Sequence, residues 1–288
     1  MEVWFSELRT IDRVLAGAVL TALAVALATR RRGGRFRRLL GWSGFWASFA
    51  VLLASLSKFP EWFSLTLLGL MMYAGLRTYF FVAPMRARDR FAILGAYLSI
   101  PIALWTGYTG SDAAFLATMP IVLFLIFPVL LVAGCPQEGM LDSLGRLLLG
   151  VLLFVFCAAH LGLLARSELL ELFGVLALAA ELPQRLIGRP GPGISWRRPA
   201  LGFAAGAVLA VAVGFWVGPS CGLVEEDAGR AGFLVAVGVS MGAAVNAAIL
   251  RDLTLSAQEL YGRGAFLDRV VPPIYAAPFF FHYLNHFA

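Results

Sequence analysis

Apolar runs long enough to cross a bilayer recur along this chain, and short arginine-bearing segments separate them. Inside a lipid core no water is present to bond backbone N–H and C=O groups. A spanning chain therefore closes its backbone bonds within helices or in a sealed barrel. A barrel would show short segments of alternating hydrophobicity, and these runs do not alternate. The expected fold is all-α, a polytopic integral membrane protein. Composition agrees: 60% of the 288 residues are hydrophobic and 14% charged, against about 25% charged in soluble domains.

Run length predicts about ten spans, at about 14–28, 39–56, 63–82, 91–105, 113–133, 147–165, 169–182, 200–217, 231–250 and 270–287. Counts of eight or nine also fit, because the sixth and seventh runs are close together and the seventh is short. The first run precedes its basic cluster (Arg30, Arg31, Arg32, Arg35, Arg37, Arg38) and has no small-residue cleavage site. It reads as a span rather than a signal peptide. Arginines mark the cytoplasmic loops. They alternate correctly at four of the five inner loops; the fifth, Cys135 to Arg146, sets one arginine against Glu138 and Asp142. This predicts a multi-pass protein of the cytoplasmic (inner) membrane with both termini outside. Residues 1–165 form an N-terminal helical part and 166–288 a C-terminal part of one membrane domain.

The net charge of +6 does not point to nucleic acid, since the cations sit between spans, where topology requires them. Lys58 is the sole lysine, which argues against lysine-based chemistry. Cys135, Cys157 and Cys221 show no paired spacing. His282 and His286 are four apart and share a helix face; a zinc pair and a helix end at the membrane surface both fit. Trp42 and Trp46 read as interface anchors, and Pro101 as a kink in the fourth span. Glycine and alanine crowd the eighth and ninth spans, which suits close helix packing.

Polar residues concentrate in two cytoplasmic segments, Glu181 to Arg198 and Arg251 to Arg269. In the second, Asp252 and Asp268 bracket the turn Gly262-Arg263-Gly264. Mg2+ binds through one or two carboxylates together with substrate phosphates, and arginines grip phosphates with two donors. The combination describes a phosphoryl- or nucleotidyl-transfer site. Plainer readings stand beside it. Inner-loop arginines are topogenic by default, Glu181 can snorkel from a helix end, and Asp252 and Asp268 can pair with Arg251 and Arg269.

The segment Asp252-Leu-x-x-Ser256, the Gly262-Arg263-Gly264 turn and Leu267-Asp268-Arg269 together resemble the C-terminal signature of the phosphatidate cytidylyltransferases (CDP-diacylglycerol synthases). Upstream, Ser195-Trp-Arg-Arg198-Pro-x-x-Gly202 is similar to that family's Ser-Pro-x-Lys-Thr loop, and Glu181 falls where the family carries an acidic residue. The resemblance implies transfer of CMP from CTP to phosphatidate, giving CDP-diacylglycerol and diphosphate with Mg2+. It implies Asp252, Asp268 and Glu181 as catalytic residues, the first two on the metal. Ser195, Arg198, Ser256, Arg263 and Arg269 would bind substrate, and the protein would be a homodimer. The chain departs from the pattern at Val271, where the family has a second aspartate, at Arg251, where it has glycine, and in a shortened loop after Ser256. An inactive relative serving as a membrane partner or scaffold, or an unrelated transporter, are the alternatives.

Overall fold

The computed structural model describes residues 34–109, 112–133, 139–166, 169–188, 196–253 and 264–287. Among them the chain forms nine long helices and no strand: α1 Gly34–Lys58, α2 Glu61–Val82, α3 Arg90–Thr109, α4 Asp112–Ala133, α5 Met140–Ala165, α6 Leu170–Ile187, α7 Arg197–Val217, α8 Glu225–Asp252 and α9 Ala265–Phe287. These cover the second to tenth expected spans; the first lies outside the described residues. Six are long and apolar enough to cross a membrane: α2, α3 with the turn before it, α4, α5, α7 with the turn after it, and α8. The chain is an all-α membrane protein.

Of the other three, α1, α6 and α9, helix α6 organises the rest. It is 18 residues long and carries Glu171, Glu181 and Arg185. Ionisable groups in a span are costly unless protein surrounds them. Accordingly, Leu170 through Glu181 are all buried, and α6 packs against α1, α5, α7, α8 and α9. A helix apolar on every side belongs in the middle of such a bundle.

Small residues let the C-terminal helices approach to backbone distance. A Cβ added at Gly206 of α7 would strike the Ala180 carbonyl of α6. On α8, Gly238 faces Ala276 of α9 and Gly242 faces Pro272. Four residues forward on α8 match four back on α9, so the pair is antiparallel. One further turn sets Asn246 level with Asp268.

Pro101 is accommodated within continuous α3. In α4 a π turn at Val122–Ile126 immediately precedes Phe127-Pro128; the carbonyl that Pro128 leaves without its usual donor is that of Phe124, inside the turn, a local widening of the kind that re-satisfies such groups. The interface reading of two tryptophans is corrected here. Trp42 and Trp46 are buried and stack edge-on in a cluster with Phe45 and Phe49. Trp62, Trp105, Trp196 and Trp216, near helix ends, are the exposed ones.

Candidate functional site

The site begins with Glu181, whose side chain is 0% exposed. An isolated buried carboxylate would be prohibitively costly, so each of its oxygens needs a donor. The indole Nε1–H of Trp46, reaching over from α1, donates to Oε2 at 2.9 Å. Arg185, one turn along α6, donates from Nε to Oε1 at 2.9 Å. Its guanidinium then extends to the start of α9. Nη1 donates to Asp268 Oδ2 at 2.7 Å and Nη2 to the Asp268 carbonyl at 2.8 Å.

One guanidinium thus uses all three of its nitrogens to tie the buried acid to the half-exposed one. The planar fork suits arginine and would not suit lysine. The result is a continuous chain, Trp46–Glu181–Arg185–Asp268, joining α1, α6 and α9 at one end of the bundle.

Arg269 lies against α1. A Cβ at Gly41 would overlap its guanidinium, so the absence of a side chain there makes room for the cation. Three buried polar groups at this end are unpartnered among the described residues: the Trp42 indole nitrogen, the Gln184 side-chain oxygen and both amide atoms of Asn246. Gln184 sits beside Arg185, and Asn246 lies level with Asp268. Buried groups of this kind are rare and mark polar interiors.

The sequence-predicted residues therefore divide. Glu181, Asp268 and Arg269 come together. Glu181 is enclosed, with both oxygens bonded, and does not snorkel. Asp268 pairs with Arg185. Asp252 is exposed in the last turn of α8, outside the bonded chain, and Arg198 is exposed in the first turn of α7. Ser195, Ser256 and Arg263 lie outside the described residues. No group of three or more His, Cys, Asp or Glu side chains gathers as a metal cage among the described residues.

The sequence reading missed Arg185, Trp46 and Asn246. Arg185 was legible as a Glu–Arg pair at i,i+4, and Asn246 as a lone amide within an apolar run. Nothing distinguished Trp46 from an ordinary belt tryptophan.

A second ionic knot lies at the same end. Ser143 Oγ donates to Asp89 Oδ2 at 2.5 Å, while Arg86 Nε donates to Ser143 Oγ at 3.0 Å. Arg146 pairs with Asp142 at 3.1 Å and donates to the Pro84 carbonyl at 3.0 Å. Arg86 thereby serves the arginine-poor start of α5.

No protein-family model matches the chain, and no solved structure matches it. The uncharacterized protein YnbB of Escherichia coli (strain K12) is 25% identical over 293 residues, covering 95% of this chain and 95% of its own. The similarity runs the length of both proteins and carries no activity to this one.

Proposed function

We propose that this chain is a divergent nucleotidyltransferase of the phosphatidate cytidylyltransferase type, transferring CMP from CTP to a lipid phosphate with release of diphosphate. The reading rests on one observation: the Arg185 guanidinium locks the half-exposed carboxylate of Asp268 to the fully buried Glu181. A carboxylate fixed at a helix start, beside a second arginine, is a positioned electrostatic site of the kind phosphate chemistry requires.

The roles follow from exposure. Asp268, 39% exposed, faces the ligand. Glu181, wholly enclosed, is a positioning residue that holds Arg185. Arg269, beside Asp268 on α9, and Arg198, exposed at the start of α7, receive phosphates. The donor set suits Mg2+, which needs only one or two carboxylates when phosphates supply the remaining ligands; Asp268 would hold it, whereas Asp252, six residues past Asn246 on α8, lies about 9 Å further along the helix than the level of Asp268. When bound, the ion neutralises charge on the transferring phosphate. The orientation that accompanies this reading has ten spans, with the Asp268 end toward the cytoplasm, where CTP is found.

A second reading, an inactive relative acting as a partner of another lipid enzyme, is favoured by Val271. It stands where the family pattern has an aspartate, and it is 1% exposed, packed in the core of α9. The deciding experiment is diphosphate release by purified protein with CTP, phosphatidate and Mg2+, beside Asp268→Asn. Lipid-dependent release abolished by the substitution supports the enzyme. No release from folded protein, with any nucleotide supplied, supports the inactive relative.

A further inference from the structure

At the end of the bundle away from Glu181 lies another buried carboxylate, one that the proposed chemistry does not use. Glu171, in the first turn of α6, is buried. Ser57 of α1 donates to its Oε1 at 2.6 Å. Trp46 of the same helix bonds Glu181, and the rise per residue sets the two contacts about 16 Å apart along α1.

Ser57 also lines a cavity of about 230 Å³ between the ends of α1, α2, α3 and α5. Most of its wall is apolar, with Leu56, Leu65, Leu68, Leu104 and Leu163. Its polar lining, among the described residues, is Ser57, Ser64 and Glu61. Small residues keep it open: a Cβ added at Gly107 would meet Leu163 and Phe115 at 3.7 and 3.9 Å, ordinary contact distances.

Hydrogen-bond polarity selects the occupant. A hydroxyl has one proton to give and two lone pairs. Ser57 gives its proton to Glu171, a closer partner than the Ala54 carbonyl at 3.2 Å. Ser64 gives its own to the carbonyl of Ser55 or Phe59, at 3.3 and 3.4 Å. Glu61, the first residue of α2, is an acceptor when ionised. The polar lining therefore offers acceptors and negative charge, with Glu171 behind Ser57. A carboxylate or phosphate head would bring more of both. An ammonium brings three donors and the opposite charge. Lys58 is exposed and lies outside the lining.

From these observations we propose that the cavity binds a single-chain amphiphile with an ammonium head. The head sits on Ser57, Ser64 and Glu61, and an alkyl chain runs against the leucines, an apolar pocket with a few convergent polar groups. If a methylene fills about the 30 Å³ of a liquid water, the cavity holds roughly eight of them. The site stands apart from the Asp268 cluster and does not depend on the reaction proposed there.

The test places a thiol on the cavity wall by Gly107→Cys, in full-length protein free of other cysteines and held in phosphatidylcholine nanodiscs. Octylammonium should slow modification of that thiol by methyl methanethiosulfonate, and the protection should saturate. Octanoate, with the same chain length, should protect at least about 10-fold more weakly. Trp105→Cys, at a similar depth on the exposed face of α3, should be unprotected. Glu171→Gln keeps an acceptor for Ser57 but removes the charge, and should cut the preference for octylammonium by about 5-fold or more. Ser57→Ala removes the acceptor itself and should do the same, which keeps the test decisive even where Glu171→Gln does not fold. No protection, protection that does not saturate, equal protection by octanoate, protection of the thiol introduced at Trp105, or a preference unchanged in either folded variant would overturn the site.

Discussion

Replacing Arg185 by methionine removes the guanidinium that bonds to both Glu181 and Asp268. Two effects contribute unequally. Glu181 is 0% exposed, and losing Arg185 leaves its Oε1 without the 2.9 Å donor. Breaking a buried pair from one side costs about 3–5 kcal/mol, because the remaining charge is stranded. The Asp268 end, 39% exposed, is screened by solvent and adds at most about 1 kcal/mol. The expected total is about 3–5 kcal/mol, set by the buried end. Equilibrium unfolding from mixed micelles measures it. The double substitution Arg185→Met with Glu181→Leu should recover most of that loss, since an apolar pair of similar volume is often as stable as the ions it replaces. Nucleotidyl transfer should not return with it, because Asp268 is no longer held. A single-variant cost below about 1 kcal/mol would refute the buried pair. A double variant no more stable than the single would refute the coupling between the two residues.

Trp46→Phe keeps an aromatic ring beside Phe45 and Phe49 but removes the donor to Glu181; a bond to a charged group is worth about 1.5–3 kcal/mol, and the same unfolding measurement should show that loss. Gly206→Ala should destabilise by about 1–3 kcal/mol through collision with the Ala180 carbonyl. Gly44→Ala, with nothing within 4 Å of the added methyl, should instead stabilise α1 by roughly 0.5–1 kcal/mol. Asp252→Cys, in a background free of other cysteines, should react with a membrane-impermeant thiol reagent added from the cytoplasmic side; labelling only from the opposite side would invert the proposed orientation. Chelation of Mg2+ should abolish transfer, and restoring the ion should recover it.

The helices were legible because bilayer thickness demands long apolar runs, and the second to tenth of these fall on α1 to α9, six of them long and apolar enough to cross a membrane. The close packing at Gly206 and Gly242 was legible for a similar reason, as small residues cluster where backbones meet. The site was legible only in part. Glu181, Asp268 and Arg269 stand out as charges beside apolar runs. The spacing of Glu181 and Arg185 shows that they can pair along one helix, but nothing local says that Arg185 also reaches Asp268. That link spans 83 residues, and the bond from Trp46 to Glu181 spans 135. Both depend on which helices are neighbours, and a hydrophobicity pattern does not encode that. Trp46 was therefore misread: its position near a span end matches a belt tryptophan, and only the packing of α1 on α6 turns the indole inward. The contact between His160 and His282, 122 residues apart, was not legible for the same reason.

The charges of the site bear directly on its chemistry. Glu181, Arg185, Asp268 and Arg269 sum to zero, so the fold tolerates them together without help from a bound ion. A nucleotide triphosphate carrying one Mg2+ remains an anion, and a neutral cluster neither repels nor strongly draws it. On the proposed reading, attraction comes from the exposed Arg197 and Arg198 that open α7. Rim charges act at long range and are screened by salt, whereas the buried pair is not. Raising ionic strength should therefore weaken CTP binding while leaving unfolding stability nearly unchanged, and Arg198→Gln should reproduce the first effect alone. If salt lowered stability as steeply as binding, the internal ion pairs would be solvated, and Glu181 could not be the enclosed anchor on which the position of Asp268 depends.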